Sequence, residues 1–161
     1  MESASRGSDR RPEQAARFAA EHPQVLQSAT FYPEPGAAAY VTDALAAGAR
    51  VFKVHVQVGD FDPRDPLLDA VWARLEQTGT PVVIHCGSGP LAGEHTGPVP
   101  MTGLLERHPG LQLVIAHLGM PEYGAFLDLA ERYERVHLDT TMFATDFIEA
   151  RAPFDLSLIH I

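Results

Sequence analysis

Three observations predict an α/β chain whose parallel strands form part of a (β/α)8 barrel. From Gln24 onward, short β-branched runs alternate with longer amphipathic stretches, with no Ser/Gly-rich linker between them, which is the rhythm of repeated β-α units. Several runs are almost continuously apolar, as in Val82-Val83-Ile84 and Leu113-Val114-Ile115, and such runs read as buried parallel strands. Polar residues then stand at the carboxyl end of nearly every run: Lys53 with His55, His85, His117 and Asp139. A barrel assembles its site from the ends of several strands in this way. An open doubly wound sheet shares the alternation, but its nucleotide-binding members need a Gly-rich phosphate turn, and neither GxGxxG nor GxxxxGK[S/T] occurs.

The elements run in order along the chain. The first run, residues 25–32, stops at Pro33-Glu34-Pro35-Gly36, a loop sequence because it supplies two residues without an N–H and one without a Cβ. A helix over 37–47 is closed by Gly48. The second run, 51–56, ends near Gly59. Asp65 then precedes Pro66 as a cap precedes a first helical residue, and Leu68, Val71, Trp72 and Leu75 give that helix one buried face up to Gly79. The third run, 81–86, leads into a Gly/Pro-rich loop over 87–100, placed to shape a pocket at the sheet's carboxyl edge. A helix over 101–107 and the turn His108-Pro109-Gly110 reach the fourth run, 111–116. A helix over 123–133 reaches the fifth, 136–139.

A complete barrel has eight units and about 250 residues, whereas five units are counted in these 161 residues. The chain is therefore expected to be a fragment: a polar segment with a leading helix over 1–23, the partial barrel over 24–155, and a non-native tail over 156–161. That tail, Leu-Ser-Leu-Ile-His-Ile, breaks off inside an apolar segment and reads like a sequencing-adapter end, so His160 is left out of the site.

The charge balance, 12 Lys+Arg against 21 Asp+Glu for a net of -9, argues against nucleic acid and anionic membrane as partners and for a small-molecule substrate. The single cysteine, Cys86, has no internal disulfide partner. No signal-peptide core or membrane-spanning stretch is found, and a cytoplasmic location is expected. His22, His95 and His108 lie in polar or Pro/Gly-flanked contexts and are expected to be solvated.

His85 and His117 would emerge together at one sheet edge, and neutral imidazole both ligates metals and moves protons near neutral pH. The bland alternative for each is a core histidine bonded to a backbone carbonyl. Lys53 and His55 are two apart on one strand and share a face. The apolar set Phe52, Val54 and Val56 suits the helix side, which puts Lys53 and His55 inside the barrel as candidates for contact with substrate. Lys53 could alternatively pair with Asp139 as a buried amine. Asp139 could serve a site histidine or cap the following turn. Cys86, without a dedicated base, reads as a small buried hydrophobe and Trp72 as core.

The stretch from Lys53 to Thr141 resembles the amidohydrolase-related family of metal-dependent barrels. The matching pieces, in order, are Phe52-Lys53-Val54-His55, Gly79-Thr80-Pro81-Val82-Val83-Ile84-His85-Cys86-Gly87, Glu106 through Gly119, and Val136-His137-Leu138-Asp139-Thr140-Thr141. The resemblance implies that the five runs are family strands 3 to 7, with the first, second and eighth missing, that His85 binds a divalent metal, zinc or manganese, and that His117 works as acid or base beside the metal-bound water. It implies hydrolysis of an ester, lactone or amide, with decarboxylation or hydration as the alternative chemistry and a homo-oligomeric parent as one compatible assembly. The family's His-x-His or Glu-x-His pair and its last aspartate have no counterpart here. The chain on its own is thus expected neither to bind metal tightly nor to turn over substrate. A different class of reading is a non-catalytic half-barrel that dimerises to cover its open strand edges. A clamp for a substrate carboxylate would favour the lyase reading, and Lys53 and Arg64 are the basic residues near the expected mouth.

Overall fold

The computed structural model describes residues 10–142. Five parallel strands stand side by side in chain order: β1 (Ser28–Ala29), β2 (Val51–His55), β3 (Val82–His85), β4 (Leu113–Ile115) and β5 (Val136–Leu138). Consecutive parallel neighbours require a crossover each time, and the helices supply it. Those between strands are α2 (Ala37–Ala46), a short α3 (Val56–Gly59) with α4 (Asp69–Thr78), α5 (Pro98–Arg107) and α6 (Tyr123–Arg132), while α1 (Arg10–Glu21) precedes β1. The expectation of an α/β chain forming part of a barrel is met. The first nine residues and the tail over 156–161, with His160, lie outside the described residues.

Period-two alternation divides the sheet into two unlike faces. Phe52, Val54, Val82, Ile84, Leu113 and Ile115 are buried together with Leu68, Trp72, Leu75, Leu104 and Phe126 from the helical layer. Lys53, His55, Val83, His85 and Val114 point the other way and are exposed or half-buried. The strands are thus covered on one side only among the described residues. The apolar runs are continuous because the second side is a barrel interior, which five strands leave open. Lys53 and His55 do lie opposite Phe52 and Val54, as the alternation requires.

Two boundaries differ from expectation for physical reasons. β1 is only two residues, not the whole run 25–32. It is an edge strand with β2 as its partner, Leu26 is 65% exposed, and the N–H of Tyr32 is taken by the Tyr40 hydroxyl at 2.9 Å. α5 begins at Pro98, earlier than residue 101. Proline is tolerated in a first turn, where its missing N–H has no intrahelical partner anyway, so Pro98 and Pro100 open the helix instead of ending the loop. Asp65 caps as expected, accepting from the N–H of Leu67 at 2.8 Å. Pro66–Leu68 form a 3-10 turn that runs into α4, and Gly79 closes α4 at φ 62°.

Candidate active site

Strand register brings the histidines together. His55 and His85 are paired across β2 and β3, and their rings stack with centroids 3.9 Å apart at 22°. His117, just past β4, stands edge-on to His85 at 5.1 Å and 67°. Three imidazoles therefore share one rim of the sheet, at the carboxyl ends of three successive strands, where a barrel places its chemistry.

The turn carrying His117 is built unusually. His117, Leu118 and Gly119 have φ of 56°, 54° and 70°, three successive left-handed residues, two of them with side chains that disfavour that region by about 1–2 kcal/mol each. Two bonds to the segment after β5 and one within the turn hold it: Leu118 N–H donates to the Asp139 carbonyl at 2.8 Å, Asp139 N–H to the Ile115 carbonyl at 2.8 Å, and Met120 N–H to the His117 carbonyl at 3.0 Å. Strain sustained in this way clusters at working sites. Gly87, after β3, completes the fit. A Cβ there would stand 2.2 Å from the Met120 carbonyl oxygen, so only glycine lets the turns after β3 and β4 touch.

Each ring has its own electrostatic setting. The Nδ1 of His117 lies 2.7 Å from the Thr141 carbonyl oxygen. A carbonyl only accepts, so Nδ1 carries the proton and Nε2 of the neutral ring keeps its lone pair. His55 is the reverse. Its Nδ1 accepts from the Val58 N–H at 3.3 Å, so Nε2 carries the proton and is a donor. Burial, reinforced by Lys53 and His117, holds the His55 pKa below its ordinary value. Burial, then the neighbouring His55, His117 and Lys53, push His85 down to about 4. His85 is therefore neutral near pH 7, and its Nδ1 is buried with no hydrogen-bond partner among the described residues.

That orphaned nitrogen suits a metal ligand, because a buried imidazole nitrogen left without a partner costs free energy that a bound group would recover. The fit goes no further: among the described residues no group of three or more His, Cys, Asp or Glu is placed to hold an ion. His85 is one ligand without a cage.

The other expected positions have more ordinary settings. Lys53 is exposed on the same face, its pKa lowered by partial loss of solvent and partly restored by Asp139. No ion pair within 4.0 Å joins the two, so the buried-amine alternative does not hold. Asp139 caps its own turn: its carboxylate accepts from the Thr141 N–H at 2.6 Å and from the Thr141 hydroxyl, and the hydroxyl bond chiefly holds its pKa below the usual value. Asp139 thereby positions the carbonyl that fixes His117. Burial pushes the Cys86 thiol well up, away from a thiolate. Arg64 is tied to Asp62 at 2.7 Å and is not free to clamp a substrate. His108, expected to be solvated, has a side chain only 12% exposed, against Glu76 at 3.4 Å. His95 faces Asp62 at 3.8 Å, and the His22 ring packs tilted against Phe18, centroids 4.2 Å apart at 45°.

Two contributors carry no sequence signal. Thr141 acts through its backbone oxygen. Glu122 accepts from the Ser88 N–H at 3.1 Å and from the Ser88 hydroxyl, locking the loop after β3 to the start of α6.

A family model described as Amidohydrolase matches residues 4–159. No curated protein matches the chain. Among solved structures, an uncharacterised TIM-barrel protein from Bordetella bronchiseptica superposes with a TM-score of 0.66 at 23% identity, over 86% of this chain and 54% of that one. A protein titled amidohydrolase II gives 0.57 at 16% identity, covering 88% and 59%. A 5-carboxyvanillate decarboxylase from Sphingomonas paucimobilis gives 0.52 at 17% identity, covering 82% and 50%. These likenesses show the barrel fold, and the chain spans about half the length of the structures it matches.

Proposed function

We propose that this chain, which belongs to the amidohydrolase family, carries the acid-base part of a hydrolase site in which water attacks an ester, lactone or amide carbonyl. The observation that carries the reading is the tautomer of His117. Its Nδ1–H is committed to Thr141 at 2.7 Å, which leaves Nε2 to take a proton from the attacking water. The imidazolium so formed keeps its bond to Thr141 and returns the proton to the leaving group. His55, a neutral donor at Nε2 because Val58 occupies Nδ1, hydrogen-bonds the carbonyl oxygen as negative charge develops there. Lys53, on the same face, adds positive charge nearby.

The divalent metal on which the family generally depends, zinc first and manganese second, would find one ligand in His85, and every step above runs through this chain's own side chains. A decarboxylase or hydratase acting on a carboxylic acid would want a cationic clamp. With Arg64 held by Asp62, Lys53 is left of the two basic residues named at the mouth, and a single ammonium gives no bidentate grip on a carboxylate, which weighs toward hydrolysis.

The test is turnover of a panel of lactones, esters and amides by the enzyme whose barrel this chain forms part of, wild type against His117→Asn. Hydrolysis that falls by about 10²–10⁴ in kcat in the variant supports the reading. Release of carbon dioxide from carboxylic acids with no hydrolysis across the panel overturns it.

A further inference from the structure

The ends of β1 and β2 part around a cleft of about 400 Å³. Its walls are mostly aromatic. Phe31 is buried and meets Trp72 edge-on at 4.9 Å and 87°, while Tyr32 and Phe61 meet at 5.9 Å and 76°. His55 lines the cleft and also stacks on His85, so it is the partition between this space and the histidine cluster. Val58, an apolar side chain 78% exposed, stands at the same cleft.

We propose that this cleft is the subsite for the ring of an aromatic substrate whose far end bears no carboxylate. The volume lies at the small end of the range for ligand pockets, about 300–1,000 Å³, and suits a single ring. Aromatic edges and faces favour a flat ring over a saturated one through the quadrupole of each π-system. The polar groups at the cleft decide the rest. The Tyr40 hydroxyl is already committed, accepting from Tyr32 N–H at 2.9 Å and donating to the Tyr32 carbonyl at 3.2 Å. Glu34, which also lines the cleft, leaves an anion that repels a carboxylate and tolerates a phenolic hydroxyl. A ring seated here puts its substituent beside His55, so the assignment of substrate class rests on the hydrolase reading, although the binding itself does not.

The experiment is an NMR titration of the 161-residue chain with p-cresol, 4-methylcyclohexanol and benzoate. It is read at the Val58 methyls and at the ring protons of Tyr32 and Phe61, all of which line the cleft. Saturable shifts confined to the cleft are expected for p-cresol, with affinity about three- to tenfold above that of 4-methylcyclohexanol, and weaker binding of benzoate. Val58→Phe, which fills the cleft from an exposed position, should abolish the shifts. Gly59→Ala offers a second route, because its Cβ would stand 2.8 Å from the Phe61 ring, and both residues line the cleft, so its wall must shift. Equal binding of the saturated ring, non-saturating shifts across the bare sheet face, or p-cresol binding unchanged in both variants overturns the proposal. The two readings fail separately. Saturable p-cresol binding in a protein that hydrolyses nothing leaves the subsite and removes the hydrolase, whereas hydrolysis with no cleft shifts does the opposite.

Discussion

His85 and His117 arise from the same local pattern, an apolar run, a histidine and a glycine within two residues, yet the fold treats them oppositely. His85 ends a regular strand, is stacked on His55 and has a buried Nδ1 without a partner among the described residues. His117 sits in a left-handed turn and is tethered by one strong bond to a backbone carbonyl. Packing fixes the first ring and leaves its nitrogen free for a ligand. Hydrogen bonding fixes the second ring and defines which nitrogen moves a proton. One sequence signal thus yields two chemical tools, and the difference comes from the turn at the carboxyl end of each strand.

The comparison breaks first where the two turns touch. Gly119→Ala would place a Cβ 2.0 Å from the Phe126 ring at a φ of 70°, and Gly87→Ala would place one 2.2 Å from the Met120 carbonyl oxygen. Neither neighbour is the free end of a flexible chain, so each substitution should cost about 3 kcal/mol or more, read as a lowered urea midpoint at constant m. Gly124→Ala is the control: it lies in α6 with nothing within 4 Å and should gain about 0.5–1 kcal/mol. Equal effects at Gly87 and Gly124 would show that the turns are not in contact, whereas Gly119→Ala reads the packing of the second turn on Phe126.

A smaller effect isolates the His117 tether. Asp139 holds the Thr141 turn, and its pKa is depressed in the folded state. Its stabilisation is therefore fully present above the unfolded aspartate value of about 3.9 and is lost as pH falls through the lower folded value. Asp139→Asn should cost about 1 kcal/mol at pH 7 and progressively less as the pH is taken below the unfolded aspartate value, read in urea midpoints across that range. In the variant the His117 ring should lose its fixed tautomer by NMR while His85 stays unperturbed. A pH-independent cost would remove Asp139 from the tether.

How much of this is legible in the sequence tracks how local the cause is. Runs bounded by Pro81 and Gly87, or by Gly110 and Gly119, place β3 and β4 to within two residues at either end, because turn chemistry and β-branched continuity are written in neighbours. Phe52 and Val54 against Lys53 and His55 come from the pleat alone. The length of β1 does not, since an edge strand depends on partners far along the chain and Leu26 has none to cover it. His108 looks solvated in sequence because Glu76, which receives it, is 32 residues away. The Thr141 carbonyl is invisible because any residue supplies one, and only the pairing of β4 with β5 brings it to His117.

The smallest expected effect tests the other side of the comparison. If His85 is a lone ligand among the described residues, zinc should stabilise the 161-residue chain very little. Binding to the native state alone adds RT ln(1 + [L]/Kd), so 0.1 mM zinc against a Kd on the order of 1 mM contributes roughly 0.06 kcal/mol, below what a melt resolves. Equilibrium dialysis should likewise find no stoichiometric submicromolar site. A cage of three or four ligands would behave otherwise, adding about 2.7 kcal/mol at a hundredfold excess over Kd and raising Tm by several degrees. That result would mean His85 is already joined by further ligands, and its free Nδ1 would then mark a finished metal centre instead of one ligand.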